Sequence, residues 1–245
     1  MKNPTRAWRL LLNPGLPALL LVLVLVPGIY AVAASVLFPA QPEFVYGRIP
    51  LASLLVQHIV LAGSATLAAA VVGVSIGVFV TRPVGASLVP LVQDLSALAQ
   101  TVPPVAVLAL AVPLVGFGTA PTVLALFLFS VLPILGNAVT GLHQVDPALR
   151  EASTAMGMRP WRRLVLTELP LAAPVILAGV RTAAIISIGT ATIGATIGAG
   201  GLGVVIIAGL VRDNIAFVFS GALASAMLAL LVDWCFGILA RRLEP

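Results

Sequence analysis

Charged residues are scarce in this chain. Only 9% of its 245 residues are Asp, Glu, Lys or Arg, whereas 60% are hydrophobic, and the mean hydropathy is +1.16. Soluble domains usually carry roughly a quarter charged residues, so a protein this apolar has too few polar groups to cover a water-facing surface. Most of its outer surface must contact lipid, which excludes an ordinary soluble protein.

Residues for catalysis, metal binding and nucleotide binding are also missing. The chain has one cysteine, Cys235, which cannot form an internal disulfide. Its two histidines, His58 and His143, have no ligand partners at metal-binding spacing. A GxxxxGK[ST] motif is absent, as is any Ser-His-Asp or paired-carboxylate arrangement in polar surroundings. We therefore predict no metal, no cofactor in this chain and no enzyme, with ATP binding left to a partner.

The apolar residues form runs that are long enough for membrane-spanning helices. A helix needs roughly 20 apolar residues to cross the hydrocarbon, and the alternation of a membrane barrel is absent. We predict an all-α membrane protein, a polytopic bundle of about six transmembrane helices in a domain at 16–240, after a cytoplasmic segment at 1–15. The predicted spans are 16–38, 57–80, 87–115, 121–141, 171–197 and 217–240.

The basic residues predict the orientation of the chain. One side of the predicted spans carries ten of the 13 basic residues: Lys2, Arg6, Arg9, Arg82, Arg150, Arg159, Arg162, Arg163, Arg241 and Arg242. The other side has Arg48 and Arg212, and Arg181 falls inside the fifth span. The positive-inside rule then places both termini in the cytoplasm. The net charge of +5 follows from this topology, so nucleic-acid binding is not predicted.

The first apolar run has an alternative interpretation. A basic start, an apolar core and the small residues at 31–34 also fit a cleavable signal peptide. Because the apolar run continues through Val36 and Leu37, it is long enough to span, and we expect it to remain as a membrane segment.

The longest polar stretch lies on the cytoplasmic side, at 142–170. Asp146 followed by Pro147 is typical of a helix N-cap with proline at the first helical position. A short helix through Met156 should end at Gly157, and a second should begin at Arg159. Two short helices joined at a glycine could insert into a groove on another protein, or they could form a solvated connecting loop.

The same stretch resembles the EAA loop of type I ABC importer permeases. That loop reads E-A-A, three residues, G, nine residues and I-x-L-P, and here Ser153 replaces the second alanine while Thr167 replaces the isoleucine. Both substitutes are small or β-branched, so docking should survive. The resemblance implies a coupling helix that seats in a cleft of an ATPase subunit. The coupling residues it implies are Glu151, Ala152, Ser153, Gly157, Leu169 and Pro170.

Further motifs are similar to the osmoprotectant branch of that family, which imports glycine betaine, carnitine, choline and similar solutes. They lie at 100–104, 116–119, 132–137, 178–183 and 197–203. The glycine-rich run at 198–203, expected to be an extracytoplasmic loop, also resembles methionine-type permeases. The resemblance therefore implies a permease for quaternary ammonium osmoprotectants, with methionine or another amino acid as the alternative. A membrane scaffold or a membrane enzyme is a more distant alternative.

The resemblance also implies partners and a location. It implies ABC ATPase subunits that bind ATP and Mg²⁺, an extracytoplasmic solute-binding protein and a second permease subunit, identical or paralogous. All would meet at the cytoplasmic (inner) membrane of a prokaryote. Aromatic residues, which could cage a quaternary cation, make up only 6% of the chain. We therefore expect solute recognition to reside mainly in the binding protein.

Two features mark a candidate membrane path. Gln100 and Thr101 precede Pro103 and Pro104 in the third predicted span, where prolines free backbone carbonyls. This break either lines the gate of a permeation path or is a structural kink packed on its neighbours.

Arg181 is the second feature, with Thr182 beside it. It lies about ten residues, some 15 Å, into the fifth predicted span. A guanidinium in hydrocarbon costs several kcal/mol unless it is paired or hydrated, so Arg181 should face the bundle interior. It either orders the pore or pairs with a carboxylate such as Asp94, whereas Asp233 is expected at the headgroup level near the C-terminal arginines.

Overall fold

A computed structural model describes residues 14–99 and 101–243. This part of the chain is built from α-helices with short 3-10 and π segments, which confirms the all-α prediction. The helices are α1 Gly15–Leu25, α2 Pro27–Leu37, α3 Leu51–Val80, α4 Val89–Ala99, α5 Pro104–Val115, α6 Thr119–His143, α7 Pro147–Ala155, α8 Pro160–Arg163, α9 Leu169–Gly194, α10 Gly203–Val211 and α11 Ile215–Leu243.

Within the described residues, four helical segments are long and apolar enough to cross a membrane. They are α3, α6, α11 and the 38-residue run Pro160–Ile197, which contains α8, a π-helical turn and α9. These four correspond to the second, fourth, fifth and sixth predicted spans.

The first predicted span is bent rather than straight. Helices α1 and α2 together meet the same criteria of length and composition, but they meet at an angle of 94°. Pro27 begins α2, and Val26 before it is extended, with φ −93° and ψ 103°. The proline ring disfavours helical backbone at the preceding residue, so the predicted single helix becomes two.

The third predicted span is broken into α4, of 11 residues, and α5, of 12 residues. Pro103 is extended, with φ −62° and ψ 133°, and Pro104 begins α5. Each piece is shorter than the roughly 20 residues that a span needs. The prediction of about six spanning helices is therefore corrected to four continuous segments, one bent pair and one broken pair among the described residues.

Small residues let α3, α6 and α9 pack closely at the centre of the bundle. A Cβ atom on Gly77 of α3 would lie 2.6 Å from the Cβ of Ala138 on α6, so the two helices touch where glycine faces alanine. Ala69, Ile134 and Ala183, one from each of these helices, are buried together. This central packing places the C-terminal ends of α3 and α6 and the N-terminal end of α9 beside the loop at 142–170.

The glycine-rich run after α9 is fixed to the opposite end of α3. The Gly201 N–H donates to Gln57 Oε1 at 3.2 Å, and the Leu202 N–H donates to His58 Nδ1 at 3.3 Å. Because Nδ1 accepts, the other ring nitrogen of His58 carries a proton, and this Nε2 donates to the Ile188 carbonyl at 2.9 Å. His58 is fully buried and ties α3, α9 and the glycine-rich run together.

Candidate functional site

The predicted pair of short helices between the fourth and fifth spans is present. Asp146 caps α7 by accepting a hydrogen bond from the Ala148 N–H at 2.8 Å, with Pro147 in the first turn. Gly157 ends this segment with a φ of +76°, a conformation that favours glycine. Arg159 is extended and precedes Pro160 at the start of α8. Local sequence rules thus predicted the turn correctly, and we name residues 147–163 the elbow.

One face of the elbow is open to its surroundings. Glu151, Ala152 and Gly157 are exposed, and Met156 and Trp161 expose 69% and 71% of their surface. Large apolar side chains this exposed on a polar loop are typical of a protein interaction surface. Leu169 is partly buried and Pro170 is exposed at the start of α9, so these two predicted coupling residues lie where the elbow joins the membrane helices.

The opposite face of the elbow is buried against the chain itself. Ser153 is 3% exposed, donates to the Leu149 carbonyl at 2.7 Å, and lies 3.4 Å from the Thr167 hydroxyl. Ser153 and Thr167 are the two positions at which this chain departs from the EAA pattern. The structure therefore shows that the two departures contact each other and form one weak polar contact between α7 and the π-helical turn.

A buried carboxylate anchors the elbow to the membrane helices. Glu168 is 1% exposed, and its two oxygens bind Arg82 Nη2 at 2.6 Å and Arg163 Nε at 3.0 Å. Arg82 follows α3, whereas Arg163 ends α8. Because two cations and their hydrogen bonds compensate one buried anion, Glu168 can join α3, α8 and α9. We name these three residues the Glu168 cluster.

The Glu168 cluster extends to the elbow helix α7. Arg163 Nη1 donates to the Thr154 hydroxyl at 2.8 Å, and Arg150 donates to the Leu142 carbonyl at the end of α6. A continuous set of polar contacts therefore runs from α7 through Arg163 and Glu168 to the end of α3. Force on the elbow can reach the membrane helices through this set as well as through the chain.

The π-helical turn Leu164–Glu168 explains how Arg163 reaches Glu168. These residues are five apart, and the turn closes with a bond from the Leu169 N–H to the Leu164 carbonyl, the i→i+5 spacing of a π-helix. Sequence reasoning used Glu168 only as part of a motif and Arg82 only as a topology marker. An acidic residue beside an apolar run, on the side rich in arginine, was the available signal.

Arg181 is paired, but not with the predicted carboxylate. Its Nε and Nη2 bind the two carboxylate oxygens of Asp233 at 2.6 and 2.7 Å, which joins α9 to α11. Asp94 is exposed on α4, which packs on α6, so the predicted Asp94 partner is wrong. Asp233 was expected beside the C-terminal arginines, and it faces Arg181 because α9 and α11 pack together.

The remaining path residues are only partly brought together. Gln100 lies outside the described residues, and Thr101 and Pro103 are exposed at the break between α4 and α5. Pro104 and Thr182 line one cavity of about 420 Å³, whereas Arg181 does not line it.

Comparison with known proteins gives the family. A multi-pass helical protein with a polar elbow between two of its apolar helices is the architecture expected of a membrane transport subunit, and residues 69–245 match the "Binding-protein-dependent transport system inner membrane component" family. Because the match covers well over half of the chain, this chain belongs to that family. The prediction of a transport permease subunit rather than an enzyme is confirmed by this membership.

Curated relatives match most of the chain. The carnitine transport permease protein OpuCD of Listeria monocytogenes is 41% identical over 190 residues, covering 77% of this chain and 84% of that protein. The osmoprotectant import permease protein OsmW of Salmonella typhimurium is 40% identical over 200 residues, covering 80% and 92%. The choline transport system permease protein OpuBB of Bacillus subtilis is 40% identical over 190 residues, covering 77% and 86%. The resemblance to the osmoprotectant branch is confirmed.

The fold is similar to that of a solved transporter. The inward-facing MetNI methionine ABC transporter matches with a TM-score of 0.70, covering 80% of this chain and 96% of that chain at 21% identity. At this identity the likeness concerns the fold alone, and it confirms the predicted ABC importer permease fold.

Proposed function

We propose that this chain forms the membrane path for quaternary ammonium osmoprotectants such as glycine betaine, choline or carnitine. The observation that carries the proposal is the set of relatives named for carnitine, choline and osmoprotectant transport, at 38–41% identity over most of the chain. The similarity to the methionine transporter is a similarity of fold at 21% identity, so it does not favour methionine as the solute.

The elbow is the docking site of an ABC ATPase subunit, which binds ATP and Mg²⁺. Its two faces support this role. The face with Glu151, Met156 and Trp161 is exposed, whereas Ser153 and the Glu168 cluster hold the other face to the π-helical turn, α3 and α9. When two ATPase subunits close on ATP, they push two such elbows together, and the Glu168 cluster carries the displacement into α3 and α9.

The assembly has a second permease subunit, identical or paralogous, and lies in the cytoplasmic membrane of a prokaryote with both termini of this chain inside. The distribution of arginine and lysine supports this orientation. An extracytoplasmic solute-binding protein delivers the solute to the side that carries the glycine-rich run at 198–203.

Reconstitution tests this proposal directly. The chain is co-expressed with ATPase and binding-protein genes from the same genome and assembled in proteoliposomes, with ATP supplied on the side of the membrane that the elbow faces. Uptake of labelled glycine betaine, choline, carnitine and methionine is compared. ATP-dependent uptake of at least one quaternary ammonium solute is expected. Uptake of methionine alone would overturn the solute assignment, and ATPase binding without any uptake would favour a scaffold.

A further inference from the structure

A cavity of about 420 Å³ lies beside the broken third span. Its walls come from four helices that surround the break between α4 and α5. The lining includes Ser96, Phe129, Pro133, Asn137, Thr182 and Ile186. The volume falls within the range of about 300–1,000 Å³ that is usual for small-molecule sites. We name it the Asn137 cavity.

Asn137 is held in this cavity by two features of its neighbours. Its Nδ2 donates to the Pro133 carbonyl on the same helix at 2.8 Å. Gly179 on α9 lies opposite, and a Cβ atom there would be 2.7 Å from the Cβ of Asn137 and 3.1 Å from its Cγ. Glycine at 179 is therefore required for α9 to pack against this amide. A primary amide has two N–H donors and an acceptor oxygen, and Pro133 uses one donor.

The rest of the wall combines a few polar groups with apolar ones. The Thr182 hydroxyl donates to the Ala178 carbonyl at 3.0 Å, which leaves its oxygen lone pairs directed outward from that bond. Phe129, Pro133 and Ile186 supply apolar surface. Because Pro133 has no N–H, the Phe129 carbonyl also loses its usual helical donor. Among the described residues, no Asp, Glu, Lys, Arg or His lines the cavity.

This wall suits a methylated ammonium group, because its described lining has no carboxylate to pair with a primary amine and no cation to pair with an anion. A quaternary ammonium has no N–H, so it needs no carboxylate or ring of acceptors, and it packs on apolar groups and on the face of an aromatic ring. One ring and no carboxylate among the described lining residues give weak binding rather than a cage, and a transport path requires a solute to leave again. The Asn137 amide can bind the hydroxyl or carboxylate end of such a solute.

We propose that the Asn137 cavity is a transient contact site for the quaternary ammonium solute during its passage, with Asn137 and Phe129 as specificity-determining residues. This inference rests on the proposed function. It assigns solute selection to the permease in addition to the selection made by the binding protein.

Thiol-specific reagents of different charge test the inference. The single native cysteine is replaced by Cys235→Ser, and Asn137→Cys or Thr182→Cys is introduced into the reconstituted permease–ATPase complex. The complex is treated with a trimethylammonium-ethyl or a sulfonate-ethyl methanethiosulfonate. We expect the ratio of the trimethylammonium rate to the sulfonate rate at both positions to exceed the same ratio at Thr140→Cys at least threefold, and millimolar choline to slow the trimethylammonium reaction at least threefold. Thr140→Cys, an exposed α6 position outside the cavity, controls for general accessibility and should show no protection.

The outcomes separate this inference from the proposed function. A ratio of the two rates at both cavity positions that is no higher than at Thr140→Cys, or no protection by choline, would overturn the inference while choline uptake by the Cys235→Ser protein remains intact. Absence of quaternary ammonium uptake by the Cys235→Ser and unaltered proteins would instead overturn the proposed function. The use of two cavity positions keeps the test decisive if Asn137→Cys fails to assemble.

Discussion

Two ion-pair sites lie along the helical run Pro160–Ile197, and their surroundings differ. Glu168, near the start of this run, is 1% exposed and binds two arginines from separate elements. Arg181 lies further along and binds one carboxylate, with 39% of its side chain and 29% of that of Asp233 exposed. The Glu168 cluster therefore joins three elements around one enclosed charge, whereas the second pair connects two helices. Removing one partner should cost more at the first site.

The largest effect is expected from Glu168→Gln. This nearly isosteric change leaves Arg82 and Arg163 without a compensating charge, and breaking a buried ion pair costs about 3–5 kcal/mol. The lower end applies because the two arginines are 27% and 25% exposed. Thermal unfolding in detergent measures the loss of stability, and ATP hydrolysis per solute imported measures coupling. Glu151→Gln, on the exposed face, should leave the melting temperature unchanged. If Glu168→Gln and Glu151→Gln had the same melting temperature, an anchoring role for Glu168 would be contradicted.

A smaller effect is expected from Asp233→Asn. The change leaves the Arg181 guanidinium in a membrane-spanning helix without its carboxylate, a cost of about 2.5–3.5 kcal/mol on insertion scales, reduced here by partial exposure. The amount of inserted protein, measured by membrane fractionation, should fall. Combining Asp233→Asn with Arg181→Gln should restore both the amount of protein and solute uptake, because the pair is a structural connection. Normal amounts of the double variant without uptake would instead make Arg181 a path residue.

A third effect concerns the elbow turn. It distinguishes the strain of the backbone conformation at Gly157 from the space available for a side chain there. Gly157 has a φ of +76°, and a Cβ atom at this position would have no neighbour within 4 Å, so this chain has room for a side chain but the backbone disfavours one. Gly157→Val should cost about 1–2 kcal/mol, and Gly157→Asn less, because asparagine tolerates this conformation. If the elbow seats in an ATPase cleft, both variants should also raise ATP hydrolysis per solute imported. If neither variant changes the ATP hydrolysed per solute imported, the result would count against docking through Gly157.

The smallest effect is expected at the Ser153–Thr167 contact. Ser153→Ala alone removes one partner of a weak polar contact and should cost about 1 kcal/mol, whereas Ser153→Ala with Thr167→Ile restores the EAA pattern and should recover most of that loss. A double-mutant cycle on thermal unfolding measures the coupling between the two sites. Strictly additive losses would show that the 3.4 Å contact contributes nothing.

Local chemistry predicted the parts of this protein that depend on neighbouring residues. Asp146 and Pro147 started α7, Gly157 ended it, and Pro103 with Pro104 interrupted the third span, because caps and prolines act within one helical turn. The 94° bend at Pro27 was missed, since an apolar run containing a proline is equally compatible with a kinked helix.

The partners of the charged residues could not be predicted in the same way. Arg82 and Glu168 are 86 residues apart, and Arg181 and Asp233 are 52 apart. Their pairing depends on which helices pack together and at what rotation, and neither property follows from hydropathy. The candidate coupling residues could be located from the motif, but the pairing of Glu168 with Arg82 that holds them could not.

Two contacts limit how parts can be exchanged between importers. They are the contact between Ser153 and Thr167 and the salt bridge from Glu168 to Arg82. A chimera that transplants only the exposed helix of the elbow would separate Ser153 from its hydroxyl neighbour. A functional graft has to include the chain through Glu168, and the recipient needs an arginine where its own α3 ends. The exchangeable module is therefore discontinuous in the gene, with one codon lying 86 positions upstream of the carboxylate it serves.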